Sequence, residues 1–175
     1  MKVFLLLLVV ALWISACFGQ DACSYKRIFE GDEDSCFENA TSPPPSVAAS
    51  ILNTTEAKET FADMGPGERA GVSRLWKGLT VHLRNQEQMD MIVRGDFPMS
   101  GGDNTWFWIV TSVDNHPVAF WVQGNAVTIL RSRHCGYADI RTDWAAGSNR
   151  ATRIFRSDGR RYKLFRENYK SLLPA

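Results

Sequence analysis

The chain has 175 residues, and its 20 Lys and Arg against 19 Asp and Glu give a formal net charge of +1. This length allows one domain with a hydrophobic core of its own. No internal repeat or low-complexity tract is visible, which excludes repeat proteins and fibrous proteins.

Residues 1–19 have the form of a secretory signal peptide. Lys2 supplies a positive charge, Val3–Ile14 is an apolar run of twelve, and small residues follow it. Because a bilayer needs about 20 apolar residues, this run is short for a membrane span. We predict cleavage after Gly19 and a secreted, extracellular protein without a membrane span. Cleavage after Ala16, or lipidation of Cys17, are the alternatives.

Residues 20–45 are predicted to form an acidic, proline-rich leader. Asp21–Ala40 holds six acidic and two basic residues, a net of −4, and three prolines in Thr41–Ser46 predict an extended spacer before the folded part. Most cysteines pair in an oxidising compartment, so we expect a disulfide and one thiol that is free or links two chains. The disulfide candidates are Cys23, Cys36 and Cys135.

Two N-glycosylation sequons and two helical segments come next. Ser46–Leu52 and Thr54–Met64 have helical composition, with Thr54 as the better N-cap and Gly65–Gly67 as the end of the second helix. The sequons predict glycan in a secreted eukaryotic chain. The predicted glycosylation sites are Asn39 and Asn53.

From Gly71 onward, strand-forming residues dominate and turn residues separate the runs. Gln123–Ala126 and Ser157–Gly159 are predicted hairpin turns. The fold class is therefore mainly β, an antiparallel sheet, sandwich or small barrel in residues 46–175. One or two short N-terminal helices and a short C-terminal helix in residues 166–173 complete it. This aromatic, β-rich pattern is similar to that of lipocalins, although Trp76-Lys77-Gly78 reverses their Gly-x-Trp order, and the similarity implies an architecture alone.

The run Thr105–Val110 is apolar on both faces of a predicted strand. Trp106, Trp108 and Val110 alternate with Phe107 and Ile109, which is typical of a strand buried on both sides. Aromatic residues of the next run are placed to pair across with it. The set is either an aromatic core or a pocket for an apolar or ring-bearing ligand. The pocket candidates are Trp106, Trp108, Phe120 and Trp121.

The tripeptide Arg94-Gly95-Asp96 follows a predicted strand and precedes the loop 97–104. In a flexible loop, its cation and carboxylate are suited to the acidic pocket and metal ion of an integrin. Alternatively, Gly95 supplies a turn and Asp96 bonds its own backbone. The tripeptide is therefore a candidate for cell attachment.

The segment Arg131–Lys170 is strongly basic, with eleven bases against four acids and a net of +7. In a secreted protein the acidic partners are sulfated glycans, anionic phospholipid or mineral-associated polyanions, and no nucleic acid is expected. Strand alternation would divide these bases between two faces, so a solvated surface is the alternative. The polyanion-binding candidates are Arg150, Arg153, Arg156, Arg160, Arg161 and Lys163.

Few residues are arranged for catalysis. His82 lies on a polar strand face, His116 lies in a turn, and His134 and Cys135 should point to opposite faces. Metal-ligand spacings, a nucleophile elbow and a phosphate-binding loop are absent from the sequence. We predict a secreted, non-enzymatic glycoprotein without cofactor or metal. Its aromatic-rich β domain should bind an extracellular ligand, a sulfated glycan or a small apolar molecule, and its basic C-terminal hairpin should favour polyanions. An integrin ligand or inhibitor is the alternative, and a secreted hydrolase with a scattered site is the second alternative.

Overall fold

A computed structural model describes residues 23, 26–31, 34–84, 90–95, 100–101 and 104–171. Within these ranges the fold is mainly β, with antiparallel sheets and a few short helices, which confirms the predicted class. The predicted signal peptide, residues 1–19, lies outside the described residues. Among the helices that are described, none has the length and hydropathy needed to cross a membrane.

The elements are numbered here in chain order. The helices are α1 (Ser35–Glu38), α2 (Pro45–Leu52), α3 (Thr55–Thr60) and α4 (Pro66–Ser73). The strands are β1 (Ile28–Glu30), β2 (Lys77–Val81), β3 (Asp90–Arg94), β4 (Ser100–Gly101), β5 (Asn104–Val113), β6 (His116–Gly124), β7 (Ala126–His134), β8 (Tyr137–Ala146), β9 (Asn149–Ser157) and β10 (Tyr162–Ser171).

The strands form two sheets that pack as a sandwich. Sheet A has the order β1-β7-β8-β9-β10, whereas sheet B has the order β2-β3-β5-β4 with β6 paired to β5. Phe107 and Ile109 of β5 point between the sheets, where they meet Ile140 and other side chains of sheet A. Trp108 and Val110 point to the opposite face of sheet B. The predicted alternation of β5, with both faces buried, is confirmed.

The helices α2, α3 and α4 form a layer, here called the helix layer, on the outer face of sheet B. Ile51 and Phe61 of this layer are buried with Trp76 and Trp108 in a second core. The hydroxyl of Thr54 accepts from the amide of Ala57, which confirms it as the N-cap of α3. The described residues form four short N-terminal helices instead of one or two. Pro66 is one reason, because a proline in the first turn starts α4 directly after the expected stop.

The cysteine-bearing leader belongs to the fold, so the expected separation by a proline spacer is wrong. Phe29 of β1 and Phe37 of α1 are 0% exposed and lie in the core between the sheets. Cys23 and Cys36 form a disulfide, which confirms two of the three predicted candidates. The apolar side chains of the leader outweigh its acidic composition, because their burial is the larger free-energy term.

The chain passes from sheet B to sheet A at Gly124 and Asn125, where a hairpin turn was predicted. β6 pairs with β5, whereas β7 pairs with β1 and β8. The amide of Asn125 donates to the carbonyl oxygen of Asp143 at 2.7 Å. A Cβ on Gly124 would lie 2.7 Å from that same oxygen, so the close approach requires glycine.

β10 occupies the segment for which a C-terminal helix was predicted, and that prediction is wrong. Its residues pair with β9 as far as Ser171, opposite Asn149, and this pairing overrides the helical propensity of the segment. A register shift between Leu164 and Arg166 interrupts the regular pairing of the strand, which lies at the edge of sheet A. The predicted hairpin turn at Ser157–Gly159 is confirmed, because it joins β9 to the antiparallel β10.

A buried ion pair joins Asp90, the first residue of β3, to Arg84, which follows β2. Arg84 Nη2 lies 2.7 Å from Asp90 Oδ1, and the carboxylate side chain has no exposed surface. Arg84 also donates to the carbonyl of Ser112 at 3.0 Å, and its guanidinium carbon lies 5.2 Å from the ring centroid of Tyr137. The arginine therefore connects sheet B with β8 of sheet A.

Candidate functional site

The outward face of sheet A, here called the basic face, carries five cations of the C-terminal half, namely Arg150, Arg156, Lys163, Arg166 and Lys170. Phe155 and Ile140 point into the core, so their neighbours along β9 and β8 point outward. Lys170 pairs with Arg150, and Lys163 pairs with Arg156, which gives two cross-strand pairs of cations. Arg166 lies between these pairs on β10.

Each of the four acidic residues in the segment 131–170 forms an ion pair with one of its bases. Each acid neutralises one base, so the segment has no further acid to neutralise the remaining bases. The pairs are Asp139–Arg156 at 3.6 Å, Asp143–Arg141 at 3.0 Å, Asp158–Lys163 at 2.8 Å and Glu167–Arg153 at 2.7 Å.

Asp158 organises the tip of the β9–β10 hairpin. Lys163 binds its carboxylate, and the backbone amides of Arg161 and Arg160 both donate to Oδ1 at 3.0 Å. These contacts hold the pKa of Asp158 below its usual value, with the lysine as the largest cause. The turn is thus fixed by a carboxylate, while the two arginine side chains beside it are exposed.

Seven bases of the segment have no carboxylate partner among the described residues, and all seven are exposed. Three of the six bases predicted from the sequence are among them, and the other three are ion-paired. The other four lie in the same basic run of sequence, which was the signal that could have found them. The seven are Arg131, Arg133, Arg150, Arg160, Arg161, Arg166 and Lys170.

His134 binds a carboxylate and so has a partner other than the neighbouring Cys135. Its Nδ1 lies 2.6 Å from Asp139 Oδ1, and the hydroxyl of Ser132 donates to Oδ2 of that carboxylate at 2.7 Å. A serine nucleophile donates to its imidazole base, whereas Ser132 donates to the carboxylate. This cluster therefore lacks the order of a hydrolytic triad. The part of the chain that is described contains no group of three or more metal-binding side chains.

The predicted aromatic residues do not all share one face. Trp108 pairs with Trp121, and both point with Trp106 toward the helix layer. Phe120 points the other way, into the core between the sheets, where its ring lies 5.3 Å from that of Phe155. Trp76 joins the three tryptophans instead, with its ring centroid 5.1 Å from that of Trp108. The set Trp76, Trp106, Trp108 and Trp121 is called the tryptophan layer below.

Comparison with known proteins assigns no family to this chain. No protein-family model, curated protein or solved structure gives a significant match. The function is therefore inferred from the geometry of the described residues.

The tripeptide Arg94-Gly95-Asp96 is described as far as its glycine. Arg94 ends β3, where its Nη1 donates to the carbonyl of Gly31 at 2.9 Å and its guanidinium carbon lies 4.9 Å from the ring centroid of Phe37. The amide of Gly95 donates to the carbonyl of Trp106 at 2.8 Å. Asp96 lies outside the described residues. The arginine cation is thus engaged within the fold.

The remaining disulfide candidate, Cys135, and both sequon asparagines lie at the surface. Cys135 is an exposed free thiol at the tip of the β7–β8 hairpin. Its φ of 50° and the φ of 84° at Gly136 are the left-handed pair of a tight two-residue turn. Asn39 ends α1 and Asn53 ends α2, and both are exposed.

Proposed function

We propose that the protein is a secreted, non-enzymatic binding protein whose basic face binds sulfated glycans. The observation that carries the proposal is the pairing of all four acids in the segment 131–170, which leaves seven exposed cations without a carboxylate partner among the described residues. An array of this kind attracts a polyanion before contact and binds its charges after it.

The shape of the array favours an extended polymer over a compact anion. Arg166 and Lys170 lie four residues apart on β10, which corresponds to about 13 Å along the strand. Arg150 of β9 lies opposite Lys170 and widens the array. A sulfated glycan presents regularly spaced anions along its length, and arginine binds sulfate groups through two parallel hydrogen bonds.

Secretion and glycosylation belong to the same proposal. The disulfide between Cys23 and Cys36 is compatible with an oxidising compartment, where sulfated glycans are the main acidic polymers. The exposure of Asn39 and Asn53 leaves both side chains accessible to a glycan.

Integrin binding through Arg94-Gly95-Asp96 is the alternative proposal. The contacts of Arg94 with Gly31 and Phe37 weigh against it, because an integrin would have to remove the cation from both partners. We therefore rank the basic face above the tripeptide as the functional surface.

Two matched charge variants test the proposal on immobilised heparin. Arg166→Gln with Lys170→Gln removes two cations from the basic face, whereas Lys58→Gln with Arg74→Gln removes two exposed cations from the helix layer. The two variants have the same net charge. At about 1 kcal/mol for each cation near an anionic surface, the first pair should weaken heparin binding roughly thirtyfold.

The helix-layer variant should bind heparin as the unchanged chain does, and salt should weaken all binding because screening shortens the range of the charges. Equal losses in both variants would show that net charge alone governs binding, and passage of the unchanged chain through heparin at low salt would refute the proposal. Tighter binding to vesicles of anionic phospholipid than to heparin would favour a membrane surface instead.

A further inference from the structure

The tryptophan layer contains buried hydrogen-bond donors that have no acceptor. Trp76 and Trp108 are 0% exposed, and Nε1 of Trp76, Trp108 and Trp121 is buried without a hydrogen-bond partner. Polar atoms buried in proteins almost always have a partner, and each exception costs about 1–3 kcal/mol. Three exceptions in one layer would cost several kcal/mol, a large share of the 5–15 kcal/mol by which a typical domain is stable.

The three indoles belong to one continuous aromatic cluster. The ring centroids of Trp76 and Trp108 are 5.1 Å apart, and those of Trp106 and Trp121 are 5.3 Å apart. Trp106 joins these pairs, at 6.1 Å from Trp108. Phe61 of α3 extends the cluster, at 6.5 Å from Trp76. Flat apolar rings with unpaired N–H groups at their edges are suited to a molecule that is mostly apolar and carries an acceptor.

A buried water is the competing explanation for the unpaired indoles. A stable buried water makes about three hydrogen bonds to polar groups. An indole offers a single donor, and among the side chains that pack on this layer Val93 and Ala119 offer no polar group and Met91 offers only a weakly accepting thioether sulfur. A ligand that contributes its own apolar surface does not need the additional polar partners.

A ligand would have to enter through the helix layer, and α4 is its least buried helix. No described side chain of α4 is buried, and Leu75, which follows the helix, is 50% exposed. Arg69 ties α4 to the preceding turn through the carbonyls of Met64 and Ala62. A helix of eight residues is marginal without packing, so α4 is the part of the layer that can move at the lowest cost.

We propose that the helix layer and sheet B enclose a binding site for a small, mostly apolar molecule with a carbonyl or carboxylate oxygen. That oxygen accepts from the indole N–H groups of the tryptophan layer, while the rings surround the apolar part. The site lies on the other side of sheet B from the basic face, so it is independent of the glycan-binding proposal.

Acetophenone and ethylbenzene are matched probes, because the first adds a carbonyl oxygen to an apolar ring compound of similar size. The indole N–H signals of the ¹⁵N-labelled chain can be followed by NMR during titration with each compound. Acetophenone should bind at least about fivefold more tightly and move signals of Trp76, Trp108 or Trp121 downfield, as a new hydrogen bond does. Trp144 on β8 lies outside the layer and serves as the internal control.

Trp121→Phe removes one indole N–H at a partly exposed position and retains an aromatic ring. It should leave ethylbenzene binding unchanged and reduce the advantage of acetophenone. Three results would overturn the proposal. The first is equal affinity for the two probes, and the second is movement of the Trp144 signal alone. The third is cross-relaxation of the three indole N–H groups with bound water, in protein whose indole signals acetophenone does not move.

Discussion

Replacement of Arg84 with methionine should destabilise the fold strongly at neutral pH. The change leaves the buried carboxylate of Asp90 without its cation and the carbonyl of Ser112 without its donor. With charge centres about 4 Å apart and an effective dielectric constant of about 20, the lost attraction is roughly 4 kcal/mol. This agrees with the roughly 3–5 kcal/mol measured when one partner of a buried pair is removed. Urea unfolding followed by tryptophan fluorescence would measure the loss.

The loss should depend on pH, because burial raises the pKa of Asp90 above its ordinary value of 3.8. The folded chain thus holds this proton more tightly than the unfolded chain does. The resulting contribution to stability is present below 3.8 and disappears as the pH rises through the folded pKa. Without Arg84 that pKa rises further, so the deficit of Arg84→Met should shrink as the pH falls from about 7 toward 4.

Addition of Asp90→Asn to Arg84→Met is the matched control. Asp90 also accepts from the backbone of Leu83 and Arg84, and an asparagine oxygen can still accept there without a charge. The double variant should therefore be more stable than Arg84→Met at pH 7, with little dependence on pH. A loss below 1 kcal/mol in Arg84→Met, or an equal loss at both ends of the pH range, would refute this reasoning.

The remaining predictions concern the leader and the glycans. Cys23→Ser with Cys36→Ser should lower the free energy of unfolding by about 3 kcal/mol, since the bridge closes a loop with a sequence separation of 13. An unchanged denaturation midpoint would contradict this. Protein secreted by a eukaryotic host should increase in mobility after enzymatic deglycosylation, and Asn39→Gln with Asn53→Gln should remove that shift. Absence of any shift in the unchanged chain would rule out glycan at both asparagines.

Sequence periodicity predicted the central strand correctly. In β5 the side chains of Phe107 and Ile109 alternate with those of Trp108 and Val110, and a strand must place such neighbours on opposite faces. The sequence could not show which layer would cover each face. Phe120 was therefore grouped with the tryptophans, although its own alternation with Trp121 separates the two.

The errors occurred where the outcome depends on distant partners. A turn such as Gly124 and Asn125 has the same local chemistry whether the next strand returns to its sheet or crosses to another. Residues 166–171 favour a helix in isolation, but β9 supplies a pairing edge. The ion pairs of Arg153 with Glu167 and of Lys163 with Asp158 likewise depend on the strand register. The unpaired cations could therefore not be identified from the charge of the segment alone.

The register shift in β10 has a consequence for self-association of the protein. An edge strand of ten residues is a template to which a strand of a second copy can pair. Three large apolar side chains along it are about half exposed or more, namely Leu164, Phe165 and Tyr169. The register shift beside Arg166 interrupts the regular spacing of backbone donors and acceptors, and like charges repel an approaching copy. We therefore expect the cations of this strand to keep concentrated protein dispersed. A bound polyanion would neutralise them and bring the edges of two copies together.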